Sequence, residues 1–435
     1  MKRYLYLLAM VILCGLSWFK VIHDYKTGIS AFNNYMELAK SSYEKKMYDD
    51  AEKKYKGALD IHPKDGKALL GLAKTYVAKE KYDDAADVYM KLLEKDPENE
   101  EVTILLANSL ESGGKYSKSY EILSKVEQTD KIEQRILELK SKYSLQYIGV
   151  SGAKSWQVNS PLSLEICICT ENAKGSAYNT KGKRTAYGSV TYLGPVSEDK
   201  ELYPAVQDGK WCFVDKDGKR QLVTDVNYSF LGPFYNGYAV AKRDGTFGYI
   251  DKEGHEYLFG LEAAYNFTSG IAAIKQNGVI KYINTKFEIT RTTKYDGIVA
   301  DDYGFTIHYN RQILKSGDKC YLCDENASKV EDIYYEYIGL PMESGGLIPF
   351  KKDGVYGFLS SETGKIKISP KYEDAISSGQ GLCAVKENGK WGFIDESGAQ
   401  VVENLFKYAT SVSESGTAIV QNEAGFALLS FYYLQ

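Results

Sequence analysis

The apolar and polar positions of this chain change pattern twice. From Tyr4 to Phe19 sixteen residues are almost continuously apolar, behind a basic start at Lys2 and Arg3 and ahead of Lys20. At about 1.5 Å per residue such a helix spans roughly 24 Å, short of the ~30 Å hydrocarbon core unless Val21 and Ile22 join it. Residues 1–22 are therefore predicted to be an uncleaved membrane anchor, with a cleaved signal segment as the alternative; only Gly15 and Ser17 offer small residues near a cleavage point. The basic start stays in the cytoplasm under the charge rule, which places the rest outside the cytoplasmic membrane. Residues 32–146 then repeat small and apolar positions at a helical-hairpin spacing, and residues 147–435 alternate short apolar strands with glycine turns.

In the helical stretch, Ala51 and Ala85 each follow a Tyr-Asp-Asp turn and lie 34 residues apart. The same interval links Pro63 with Pro97, Leu38 with Leu72, Ala39 with Ala73, and Tyr55 with Tyr89, and a weaker third copy holds Leu106, Ala107, Ser119 and Leu123. Small residues let paired helices approach closely, and proline stops the second helix of a pair. The period and these positions resemble the tetratricopeptide repeat (TPR) family. That resemblance implies three stacked hairpins ended by a polar-faced capping helix over Ile132–Gln146. It also implies a concave groove lined by the first helix of each hairpin. Carried over by spacing, Met36, Leu70 and Ile104 form its apolar ladder, with Lys40, Lys74 and Asn108 one turn further on. Such a groove suits a peptide or helix of acidic and apolar character; the alternative is that these residues only pack between hairpins or face water.

In the β stretch, residues 387–398 (ENGKWGFIDESG), 208–218 (DGKWCFVDKDG) and 244–254 (DGTFGYIDKEG) are clear copies of one motif, with weaker copies elsewhere. The aspartate column runs Asn179, Asp215, Asp251, Asn284, Cys323, Ser360, Asp395 and Leu429, at intervals of 33 to 39 residues. Turns are predicted at Asp208-Gly209, Asp244-Gly245, Asp353-Gly354 and Asn388-Gly389, where positive φ is needed. Phe213, Tyr249, Tyr282, Tyr321, Phe358 and Phe393 share one column and Val214, Ile250, Ile283, Leu322, Leu359 and Ile394 the next. Adjacent strand residues face opposite ways, so each small sheet is apolar on both faces and must be sandwiched between neighbours. The glycine beside the aromatic is expected to leave room for the next unit. Trp391-Gly392, Phe247-Gly248 and Tyr356-Gly357 resemble the bacterial WG-repeat family. Departures are visible: the tryptophan column holds Ile280 and Lys319 in the two central copies, and the glycine column holds Cys212, Lys281 and Cys320.

Composition narrows the chemistry. Basic residues number 54 and acidic residues 58 without long single-sign runs, so nucleic-acid binding is not expected. Tyrosine is abundant at 37 and histidine scarce at four, which favours contact surfaces over acid–base catalysis. His23, His62, His255 and His308 fall in unrelated contexts, so no nucleophile–histidine constellation is suggested. Cys320 and Cys323 have a ligand-like spacing without a second pair, and no cofactor or metal is expected. The recurring Asp215, Asp251 and Asp395 are read as turn caps rather than as paired hydrolase carboxylates.

The expectation is thus an α + β multidomain chain: anchor 1–22, a TPR-like α-solenoid over 32–146, and an all-β repeat domain over 147–435 of seven or eight units, propeller-like or, alternatively, an open β-solenoid. Its expected role is that of a membrane-tethered, non-enzymatic scaffold for protein partners. Carbohydrate or cell-wall binding is the alternative, suggested by Tyr334-Tyr335 and Tyr337, with a propeller hydrolase third.

Overall fold

The computed structural model describes residues 27–147, 190–215, 217–221 and 226–434, with the backbone of strands Trp156–Val158, Cys167–Glu171 and Lys174–Tyr178. The predicted anchor and Asn179 lie outside this set. The described chain forms two units, parted between Leu139 and Lys140.

The first unit is built of helices α1 (27–44), α2 (Tyr48–Ile61), α3 (Gly66–Ala78), α4 (Tyr82–Leu93), α5 (Glu100–Ser112), α6 (Tyr116–Lys125) and α7 (Asp130–Lys140). Asp65 and Asn99 cap α3 and α5 by accepting the N–H of Ala68 and Val102 at 2.8 and 3.0 Å. Within each hairpin the turn needs one left-handed residue, supplied by Lys46, Glu80 and Gly114 at the repeat interval. Ala39, Ala73 and Ala107 are fully buried where helices cross, and the Tyr55 ring lies over Gly71, 2.4 Å from where a Cβ would stand. Leu72 is buried, but its repeat-mate Leu38 is 42% exposed, because no hairpin precedes it among the described residues.

The second unit contains eight small antiparallel sheets among the described residues, the first seven with their strands in chain order. They span 156–178, 190–221, 230–261, 263–292, 297–324, 337–372, 374–406 and 408–431. The third strand of one sheet packs on the first strand of the next, so successive sheets stack face to face. Phe213, Tyr249, Tyr282, Phe358 and Phe393 are at most 1% exposed. The aromatic column of one sheet meets the aliphatic column of its successor, as Phe213 clusters with Ile250, Tyr249 with Ile283, and Phe358 with Ile394.

The eighth sheet settles the architecture. Its outer strand is Tyr143–Tyr147, paired antiparallel with Gly425–Phe431 from Tyr143↔Phe431 to Tyr147↔Ala427. Strands from the two ends of the array share one sheet, which an open solenoid, whose end repeats are its most distant parts, does not allow. The unit is propeller-like and closed by its own first strand. This pairing corrects the expected capping helix over Ile132–Gln146: helix α7 stops at Lys140, and Tyr143, Leu145 and Tyr147 belong to the strand.

Strand register corrects two further readings. In the fifth sheet Asp324 faces Arg311 as Asp395 faces Leu382, and Cys320 faces Lys315 as Trp391 faces Lys386. Every column there is one residue later than expected: Cys320 takes the tryptophan place, Tyr321 the glycine place, Leu322 the aromatic place and Asp324 the aspartate place. The turn explains the slip. It reads Gly317-Asp318, with positive φ at Gly317 alone, where those of the second, third, fourth, sixth and seventh sheets read Asx-Gly with positive φ at both residues. In the eighth sheet the aspartate place is likewise Ser430, not Leu429.

The column glycine also serves a different neighbour from the one expected. A Cβ on Gly392 would lie 2.6 Å from the Val402 carbonyl oxygen, and one on Gly357 2.5 Å from that of Ile368. Both oxygens belong to the fourth strand of the same sheet, which bulges over the glycine: Trp391 pairs with Phe406 and Phe393 with Val402. Asn404 in that bulge donates its side-chain amide to the Lys390 and Val385 carbonyls at 3.0 and 3.2 Å. The glycine is a seat for a bulge within the sheet, not clearance for the next one.

Candidate interaction surfaces

The six residues expected to line a groove lie on the first helices of the three hairpins: Met36 and Lys40 on α1, Leu70 and Lys74 on α3, Ile104 and Asn108 on α5. Met36, Leu70 and Ile104 are half-buried, and the first two pack against the core of the unit. Lys40 and Lys74 are exposed, and neither ammonium has a hydrogen-bond or ion-pair partner among the described residues. Asn108 differs. Its side-chain oxygen accepts from Arg135 Nε at 2.9 Å, and the Arg135 guanidinium also pairs with Glu111, a carboxylate only 5% exposed that accepts from Ser119 at 3.0 Å. Helix α7 thus occupies the third rung by charge-assisted bonds, and the first two rungs keep their free cations. The Arg135 contact was not readable beforehand, because it depends on where the capping helix docks.

The recurring acids of the β unit are held by their own turns. Asp215 Oδ1 accepts the N–H of Asp217 and Lys219, Asp395 Oδ1 those of Ser397 and Ala399, and Asp324 Oδ1 those of Asn326 and Ser328, all between 2.8 and 3.1 Å. They are turn caps. Asp251, Glu253 and His255 bring ligand atoms within 4.8 Å of one another. Asp251 there caps the same turn, with its second oxygen 2.9 Å from both His255 Nδ1 and Tyr257 OH, so the repeat geometry accounts for the grouping. Cys320 and Cys323, three residues apart on one strand, enter different apolar clusters on opposite sheet faces and share no site. Burial pushes the Cys323 thiol up to about 11.

At one end of the β unit the loops between first and second strands converge, which periodicity alone did not announce. The rings of Tyr235, in the third sheet, and Phe305, in the fifth, meet edge to face at 4.7 Å. Asp301 caps a turn through the N–H groups of Tyr303 and Phe305, both at 2.9 Å, and stands 3.4 Å from the His308 imidazole. Burial, then the charges of Asp302 and Asp301, push the Tyr192 hydroxyl up to about 12. Asn236 donates its N–H to Glu198 at 2.7 Å and accepts that of Gly270 at 2.8 Å, linking three successive sheets. The signal was the left-handed pair at each loop tip, Asn236-Gly237, Ser269-Gly270, Tyr309-Asn310 and Gln380-Gly381.

Comparison with known proteins agrees with these repeats. The tetratricopeptide repeat family matches residues 42–94 and 76–143, and the WG containing repeat matches 213–246, 247–279, 356–391 and 391–424. No curated protein matches the chain in sequence. Among solved structures the chain is similar to the AfRom2 CNH domain, at 10% identity over 66% of this chain and 98% of that one, with a TM-score of 0.37. It is also similar to the Myceliophteria thermophila Cps50 (Swd1) beta-propeller domain, at 10% identity over 66% and 99%, with a TM-score of 0.35. The chain therefore carries TPR and WG repeats, and this pairing of repeat surfaces points to a protein-interaction scaffold.

Proposed function

We propose that this chain is a non-enzymatic scaffold held at the outer face of a cytoplasmic membrane, whose helical groove takes an acidic, apolar-faced segment of a partner protein. The observation that carries the reading is the pair of exposed lysines, Lys40 and Lys74, without ion-pair partners among the described residues and one helical turn from half-buried Met36 and Leu70. Apolar anchors give such a groove affinity and the cations select sign. The tether rests on the apolar run from Tyr4 to Phe19. Among the described residues no helix is long and apolar enough to cross a membrane. Fluorescence anisotropy with a panel of acidic amphipathic peptides tests the groove. Wild type binds, and Lys40→Glu/Lys74→Glu weakens binding tenfold or more; equal binding by both chains refutes the groove.

A second reading, carbohydrate binding, is favoured by the tyrosines singled out in sequence. Tyr334 and Tyr337 are 53% and 39% exposed, whereas Tyr335 is buried and paired with Cys320. Exposed aromatic faces suit the apolar face of a sugar ring.

A further inference from the structure

The fifth sheet, Gly297–Asp324, has three strands where the sheets that follow it have four. The place of the missing strand is taken by 326–335, which makes only scattered pairings, Cys323 with Lys329 and Cys320 with Tyr335. Between this segment and the last strand of the fourth sheet, Ile289–Thr292, lies a cleft of about 500 Å³. Three cations, Arg291, Lys294 and Lys329, line it against one carboxylate, Asp332, and the remaining wall is polar, with Thr293, Asn326 and Ser328.

These cations are differently engaged. The Arg291 guanidinium is fixed by the Glu325 carbonyl at 3.3 Å and the Asn326 side-chain oxygen at 3.0 Å. Two of its five donors are thus used, and the others remain for a ligand in a pre-set orientation. Lys294 lies 5.8 Å from the centre of the Tyr295 ring and has no hydrogen-bond or ion-pair partner among the described residues. Lys329 pairs with Asp332 and sits 4.2 Å over the Tyr321 ring, which in turn lies 6.1 Å from the half-exposed ring of Tyr334, one face of which carries the Lys319 ammonium at 4.4 Å. A positive, hydroxyl-lined cleft therefore runs out through Lys329 and Tyr321 to an aromatic platform.

We propose that this cleft binds an acidic carbohydrate, its carboxylate or phosphate held by Arg291 and Lys294 and a neighbouring sugar ring laid on Tyr334. The inference rests on the carbohydrate reading and is independent of the groove. The Arg291 and Lys294 heads supply charge-assisted bonds to the oxyanion, the Ser328 hydroxyl and the Asn326 amide nitrogen match sugar hydroxyls, and the tyrosine covers a ring face.

Isothermal titration calorimetry of the full chain tests it with a glucuronate oligosaccharide, a sugar phosphate, a neutral glucose oligosaccharide and inorganic phosphate. The expected result is saturable binding of one or both acidic sugars, weakened by added salt, as exposed charges require. The response of the two acidic sugars tells carboxylate from phosphate. Arg291→Ala/Lys294→Ala, and Lys294→Ala alone as the milder change, lower the affinity tenfold or more and threefold or more at unchanged Tm, and Tyr334→Ala lowers it at least threefold. Binding of the neutral sugar that needs Tyr334 but ignores Arg291 and Lys294 leaves the carbohydrate reading standing and overturns this site. Inorganic phosphate binding as tightly as the sugar acids overturns the carbohydrate part of the assignment, and no binding of any probe overturns both.

Discussion

Gly392 shows how much one missing Cβ decides. Its backbone is not left-handed, so the demand is for space, set by a carbonyl oxygen of the bulged strand at 2.6 Å from the absent carbon. Gly392→Ala forces that strand off its partner and is expected to lower stability by about 1–3 kcal/mol, read as a reduced Tm with the fold retained. The same substitution at Gly389 meets no atom within 4 Å, but its φ of 75° strains an alanine, which separates conformational from steric cost in one hairpin. Glu52 offers a titration instead. Burial raises its carboxyl, but hydrogen bonds from Lys56 and Lys79 prevail and hold it at about 2, below the ordinary 4.5. A depressed carboxyl stabilises the folded chain above the ordinary value and loses that contribution as pH falls through the folded one. The helical unit is therefore expected to lose Tm between about pH 4.5 and pH 2, and Glu52→Gln to lower Tm at neutral pH and to flatten this slope; melting curves against pH check both.

At the scale of elements, helix α7 works as a clamp. Arg135 reaches two residues of α5 and Glu111 is nearly buried, so Arg135→Ala takes the guanidinium away from a carboxylate held off water. A loss of roughly 3 kcal/mol is expected on that ground, measured by urea unfolding of the variant. The closing strand is the second case. Gln146→Pro removes a backbone donor from the pairing with Leu428 and is expected to speed hydrogen exchange at the amides of Gly425–Phe431. Both elements expose where reading the sequence fell short. The repeat periods and hairpin turns were legible because small residues, prolines and Asx-Gly pairs act locally. The end of α7 was not, since Tyr143, Leu145 and Tyr147 alternate over too few residues to declare a strand before the partner at 425–431 is known. Nor was the fifth sheet's register, which hangs on the order of two turn residues. The six residues read as a groove lie on the first helices of the hairpins, but the engagement of Asn108 by Arg135 depends on a helix from outside the repeat.

For the whole molecule, two units with separate cores predict two calorimetric transitions. Gln146→Pro is expected to lower the transition of the β unit and Arg135→Ala that of the helical unit; a single transition shifted equally by both contradicts the division. The unit made of many similar sheets owes its cooperativity to closure, because each sheet covers a face of the next and the last is completed by the first strand. That closure sets a schedule for biosynthesis. Strand Tyr143–Tyr147 leaves the ribosome roughly 280 residues before its partner, a wait of about 15–60 s at ~5–20 residues per second. Throughout that interval the strand lacks its partner, an open invitation to wrong pairings. A premature stop before residue 425 thus forfeits more than one hairpin: it leaves the nascent β unit unable to finish, and such truncated chains are expected to be substrates for chaperones and proteases rather than shortened working scaffolds.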